Sequence, residues 1–115
     1  MILYGISNCD TVRKARKFLE ANHIDFTFHD FRKDGFNLEL FNQWLQLQPL
    51  ETLINKRSTS WKQLTDSQKQ GLTDGSDLSP LIDMPTLIKR PILNTNNQLL
   101  VGFKQAEYQS LIETI

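Results

Sequence analysis

An α/β fold in a single domain is predicted by three observations. The chain is 115 residues long with 39% hydrophobic and 10% aromatic residues, enough for one ordinary core in one domain. Residues 2–30 read as strand, helix, strand, a βαβ unit whose two strands are expected to run parallel. The last third reads as two antiparallel strands followed by a helix, so strands and helices are mixed along the chain.

The elements follow in order. Residues 2–6 are a short apolar run ending in turn residues, a buried strand. Asp10 or Thr11 caps a helix whose apolar positions Val12, Ala15, Phe18 and Leu19 have helical spacing. Residues 25–30, "DFTFHD", alternate Phe26 and Phe28 against Thr27 and His29, the period of a strand with one face more buried than the other. A helical block follows: Asn37 is a good N-cap for "NLELFNQWLQL", with Leu38, Phe41, Trp44, Leu45 and Leu47 spaced as a helix. Residues 65–72 and 77–83 read as shorter helices separated by Gly71 and Gly75. Residues 92–95 and 98–102 flank Asn96-Asn97, a two-residue hairpin turn in which asparagine tolerates positive φ. Tyr108, Leu111, Ile112 and Ile115 then recur at helical spacing and should pack on the sheet.

Composition excludes several classes. Thirteen basic and thirteen acidic side chains give a net charge of zero, so there is no global field for nucleic acid or an anionic membrane. Any anion chemistry must come from a local cluster. One cysteine excludes an internal disulfide framework, and "MILYGISN" lacks a basic stretch followed by a long apolar core. No run approaches the roughly 20 apolar residues of a membrane span. A soluble, cytoplasmic, monomeric protein is expected. His23 and His29 lack acidic or thiol neighbours at ligand spacing, so no metal is assigned. Arg13, Lys14, Arg16 and Lys17 read as a solvated face, and Trp44, Trp61 and Phe41 as packing residues. Glu20 and Asp25 are read as non-catalytic.

The sole cysteine, Cys9, falls in the turn between the first strand and the first helix. A thiol kept for packing more usually lies on a buried stripe. A helix N-terminus lowers a thiol pKa from about 8.5 toward roughly 3.5–7.5, turning a few per cent of thiolate at neutral pH into a largely ionised nucleophile. The N–H groups of Thr11 and Val12 and the helix dipole are the local stabilising groups. Asp10 is most simply a cap, and Ser7 and Asn8 form the turn that aims Cys9, with Asn8 able to hydrogen-bond the nucleophile region. Lys89-Arg90-Pro91-Ile92 places a proline at a strand entry, where it lacks a donor and can be cis.

"YGISNCDTVRKARKFLEANHIDFTFHDFRKDG", "INKRSTSWKQL", "KRPIL" and "LLVGF", in this order and spacing, resemble the ArsC/Spx arsenate reductase superfamily, most closely its small YffB-type members. The match spans nearly the whole chain. The resemblance implies a thioredoxin-like fold (β-α-β, helical insertion, β-β-α), as one domain over residues 1–115 with the insertion at about residues 36–84. It also implies a nucleophile at Cys9 and a basic anion pocket to which Arg90 contributes just before a cis Pro91. The position of a second, resolving cysteine is occupied by Val12. A disulfide at Cys9 is therefore mixed and is released by an external thiolate.

The function expected from this is a glutathione-dependent thiol–disulfide reductase with Cys9 and Arg90 as its catalytic residues. Asn8, Thr11, Arg57, Lys56 and Pro91 are expected to bind substrate or anion. Glutathione serves as co-substrate without a tightly bound cofactor, its carboxylates held by Arg90, Arg57 or Lys56. The thiol partner is glutathione or a glutaredoxin-type thiol, and the substrate a disulfide or an oxyanion. In arsenate-reducing relatives three arginines hold the oxyanion. Arg90 matches one, while the others fall near Asn55, with Arg57 two residues on, and near Phe103, beside Lys104. The alternatives are a genuine arsenate reductase, an Spx-like regulator that binds RNA polymerase but lacks the two-cysteine switch, and a binding module with a vestigial site.

Overall fold

The computed structural model describes residues 1–115 and contains four strands and seven helices. These are β1 (Ile2–Gly5), α1 (Asp10–Ala21), β2 (Thr27–Asp30), α2 (Leu38–Leu45), α3 (Leu50–Leu53), α4 (Thr59–Lys62), α5 (Asp66–Asp74), α6 (Pro80–Asp83), β3 (Ile92–Asn94), β4 (Leu99–Val101) and α7 (Gln105–Glu113), with a 3-10 turn at Pro85–Leu87. None of the helices is long and apolar enough to cross a membrane. The chain divides into two compact units, Met1–Asp34 with Arg90–Ile115, and Gly35–Lys89.

The first unit holds the sheet, in the order β2-β1-β3-β4. β1 and β2 are parallel with Gly5 opposite Asp30, while β3 is antiparallel to β1 and β4 to β3. This is the α/β, thioredoxin-like arrangement. Leu3 and Leu93 are register partners and share a face, on which Ala15 and Leu19 of α1 and Tyr108 and Leu111 of α7 complete the buried cluster. Each fully buried leucine of this kind contributes about 1.5–3 kcal/mol of apolar burial. Phe18, Phe28 and Phe103 pack at its margin.

β1 ends on Gly5 because α1 comes too close for a side chain. A Cβ there would stand 2.7 Å from Cγ2 and 3.1 Å from Cγ1 of the fully buried Val12. Gly5→Ala is expected to destabilise by about 1–3 kcal/mol through overpacking, offset only in part by the roughly 0.4–1 kcal/mol gained from a stiffer unfolded chain. A denaturant midpoint equal to or above wild type would show that Val12 yields freely.

Three elements of this unit differ from the sequence reading. β2 begins at Thr27, two residues later than expected. The β3–β4 turn uses no positive φ at Asn96 or Asn97. The Thr95 hydroxyl closes it instead, accepting the N–H groups of Asn97 (3.4 Å) and Gln98 (3.0 Å), while Thr95 N–H donates to the Gln98 carbonyl (3.0 Å). Ile115 lies beyond the end of α7 and is 72% exposed.

The Gly35–Lys89 unit is helical. Asn37 caps α2 by accepting Leu40 N–H (2.9 Å), and Phe41 and Trp44 are its buried residues, packed edge-on with Phe36 nearby. Thr65 and Gln68 form a reciprocal capping box on α5, which ends at Gly75 with φ 80°. Gly71 does not break that helix. It lies inside it, where a Cβ would meet Cβ of Asp77 at 3.0 Å and its carbonyl oxygen at 3.1 Å, so its glycine serves close approach rather than termination. Leu47, counted on the α2 stripe, is past the helix and 44% exposed.

Candidate active site

Cys9 is the N-cap of α1, with extended backbone (φ −100°, ψ 126°), so Asp10 and Thr11 lie inside the first turn rather than at the cap. The turn that delivers it is short: Cys9 N–H donates to the Ile6 carbonyl (3.2 Å), and Arg13 N–H donates to the Cys9 carbonyl (3.0 Å). Asp10 is engaged by the Arg13 guanidinium one turn on. The Cys9 side chain is half-buried and closes no conventional cap hydrogen bond.

The thiol is nonetheless held below its ordinary pKa. Burial by itself pushes it up. The Val12 N–H, the Arg90 guanidinium acting both as hydrogen-bond donor and as charge, and the Thr11 N–H together outweigh that penalty. These are the orphan first-turn amides of α1, which have no partner within the helix and face an anion by default. Arg90 reaches the sulfur from the strand side, immediately before β3. The Arg90–Pro91 peptide bond is cis. Pro91 is buried, and its carbonyl accepts Gly102 N–H (2.8 Å), fixing the entry of β3.

The residues expected at the site are thus distributed unevenly. Cys9, the amides of Thr11 and Val12, and Arg90 converge on the sulfur. Asn8 is exposed, and its side chain takes no part in the hydrogen bonding around Cys9. Of the basic run on α1, Arg13 is paired with Asp10 and Arg16 lies 4.3 Å over the Phe28 ring, while Lys14 and Lys17 are exposed. Phe103 is packed edge-on against Tyr108 at 4.8 Å and supplies no cation.

Lys56 and Arg57 belong to the Gly35–Lys89 unit, where their surroundings are well defined. Ile54 and Ile88 form an antiparallel bridge, flanked by Asn55 N–H to the Leu87 carbonyl (2.7 Å) and Lys89 N–H to the Leu53 carbonyl (2.8 Å). The Asn55 side chain accepts Arg57 N–H (3.1 Å), and Lys56 Nζ sits 5.5 Å over Trp61. Lys56, Arg57 and Lys89 line a cavity of about 400 Å³ with Glu51, Ile54 and Asn55. None of the three cations is ion-paired. Lys89 was not singled out from the sequence, although it stands beside Arg90 in the same "KRP" motif.

Asp30 was also missed. It is the one buried charged residue, 3% exposed, and it lies at the end of β2. Its carboxylate accepts Arg32 N–H (2.8 Å) and Ser7 N–H (3.3 Å), the latter from the turn that carries Cys9. The only sequence signal was an aspartate closing an apolar alternation before "RKDG".

The ArsC family model matches residues 4–111. A protein of Haemophilus influenzae described as uncharacterized is 44% identical over 108 residues, covering 94% of this chain and 95% of its own. The global transcriptional regulator Spx of Lactiplantibacillus plantarum is 32% identical, covering 97% of this chain and 86% of its own. Among solved structures, the YFFB protein superposes with a TM-score of 0.89 at 32% identity, covering 96% of this chain and 97% of its own.

Proposed function

The chain belongs to the ArsC family, and from that premise we propose that it is a glutathione-dependent thiol–disulfide reductase working through the single nucleophile Cys9. The observation that carries this reading is the convergence of the Val12 and Thr11 amides and the Arg90 guanidinium on a thiol whose pKa is lowered. The thiolate, and not the thiol, is the nucleophile in disulfide exchange.

The cycle has two exchanges. The Cys9 thiolate attacks the glutathione sulfur of a mixed disulfide, the substrate's S–S bond breaks, and the substrate leaves as a thiolate that takes a proton from water. Cys9 is then joined to glutathione. With no other cysteine in the chain, the adduct cannot be resolved internally. A second glutathione thiolate attacks it, releasing oxidised glutathione and restoring the Cys9 thiolate. The mixed disulfide is reduced to the substrate thiol, one free glutathione is consumed, and it leaves with the glutathionyl group of the mixed disulfide as one molecule of oxidised glutathione. Arg90 stabilises the attacking and departing thiolate at Cys9 and is the first partner for a glutathione carboxylate.

Incubation with oxidised glutathione should give a protein carrying one glutathione by intact-mass analysis, reversed by reduced glutathione. Absence of the adduct under conditions where Cys9 is alkylated would reject glutathione as the co-substrate. A second reading, a redox regulator, is favoured by the likeness to Spx. With Val12 at the resolving position it would have to act through modification of Cys9 alone. Arsenate reduction is the less favoured chemistry, because Asn55 is committed to a turn and Phe103 to the core where relatives are expected to carry arginines.

A further inference from the structure

We propose that Asp30 is the positioning residue for the nucleophile turn, acting on Cys9 through Ser7; this rests on the reading of Cys9 as an activated thiolate. The ladder brings Asp30 to the place. Gly5, the last residue of β1, is its register partner, and Phe31 N–H donates to the Gly5 carbonyl (2.9 Å), so the end of β2 is locked against the end of β1. From there the carboxylate reaches two residues past β1 and accepts the Ser7 N–H at 3.3 Å, with the Ser7 hydroxyl as a second donor. Its other oxygen accepts Arg32 N–H at 2.8 Å, and the Asp30 N–H donates to Asp34 Oδ2 at 2.9 Å.

Burial alone would raise the Asp30 pKa, but the N–H donors of Arg32, Ser7 and Lys33 and the Ser7 hydroxyl lower it, so the acceptor is charged at neutral pH. A buried carboxylate is costly unless its oxygens are met by donors in this way. Ser7 and Asn8 are exposed, and one backbone bond, Cys9 N–H to the Ile6 carbonyl, closes the turn from within. The tie from Ser7 to Asp30 is its external anchor. The sulfur owes its lowered pKa to three donors whose effect depends on where Cys9 sits, so releasing the anchor lets the sulfur drift from them. Asp30 is not a partner of the sulfur itself.

The test compares the pH midpoint of Cys9 alkylation and the rate of adduct formation with oxidised glutathione in wild type, Asp30→Ala, Asp30→Asn and Ser7→Gly. Asp30→Ala should raise the midpoint by half a unit to one unit, so that the rate at pH well below the midpoint falls about three- to tenfold while the rate well above the midpoint is kept. Asp30→Asn retains an acceptor oxygen and should lie between wild type and Asp30→Ala. Ser7→Gly removes the hydroxyl donor but keeps the N–H tie, so it should raise the midpoint by less than Asp30→Ala, and Asp30→Asn decides the matter if Asp30→Ala does not fold. Midpoints at the wild-type value in the Asp30 variants would overturn the proposal. So would a lowered midpoint in both Asp30 variants, which would mean that the carboxylate acts on the thiolate by charge repulsion. A wild-type midpoint at the ordinary thiol value would instead reject the activated-thiolate reading itself.

Discussion

Replacing Cys9 with serine is expected to abolish the glutathione adduct and every thiol-exchange turnover, because the chain has no other sulfur nucleophile that can form a disulfide. A hydroxyl at the same N-cap meets the same amides but cannot take part in exchange. The fold should not suffer, since serine is a preferred N-cap residue and the side chain is only half-buried. The stability difference should depend on pH with a fixed sign. The folded pKa of Cys9 is lowered, so the thiolate's contribution is fully present above the unfolded thiol value of about 8.5 and is lost as pH falls through the folded value. Cys9→Ser should therefore compare worst with wild type at alkaline pH. Turnover that survived the substitution would place the chemistry elsewhere.

Arg90→Ala is expected to slow adduct formation at neutral pH by about tenfold. A charge-assisted hydrogen bond is worth about 1.5–3 kcal/mol, and the half-exposed sulfur argues for the lower end, near the roughly 1.4 kcal/mol that equals a decade in rate. Two effects add at neutral pH: a smaller thiolate fraction and weaker holding of an anionic co-substrate. They separate with pH, because the first vanishes well above the midpoint and the second persists. Arg90→Lys keeps a charge without the planar fork and should fall between. An unchanged rate in Arg90→Ala, with Cys9 still reactive, would leave the helix N-terminus to account for the reactivity alone.

The parts of the fold that were legible in the sequence are those with a repeating or capped signal. Val12, Ala15 and Leu19 mark the buried stripe of α1, and Asn37 is a side-chain cap that the structure uses as such. The four-residue helices α3 and α4 and the 3-10 turn at Pro85–Leu87 are too short to show a period, and they passed unnoticed. Gly71 misled because a glycine demanded by a neighbouring backbone looks the same in sequence as one that ends a helix. Asn96-Asn97 misled because Thr95, before the pair, shapes the turn. Within the site, Cys9 is marked by its turn, and Arg90 and Pro91 by the family pattern. Asp30 could not be marked in either way, since its role depends on a register that pairs it with Gly5, and register is a property of the assembled sheet.

The central claim, that Cys9 is an activated thiolate, is tested most directly by the pH dependence of its alkylation with iodoacetamide in the native protein. The rate follows the thiolate fraction, rising with pH through the folded pKa. With burial outweighed by the Val12 and Thr11 amides and Arg90, the midpoint should lie clearly below the free-thiol value of about 8.5, and Arg90→Ala should move it upward. A wild-type midpoint at or above about 8.5, unchanged in Arg90→Ala, would contradict the account.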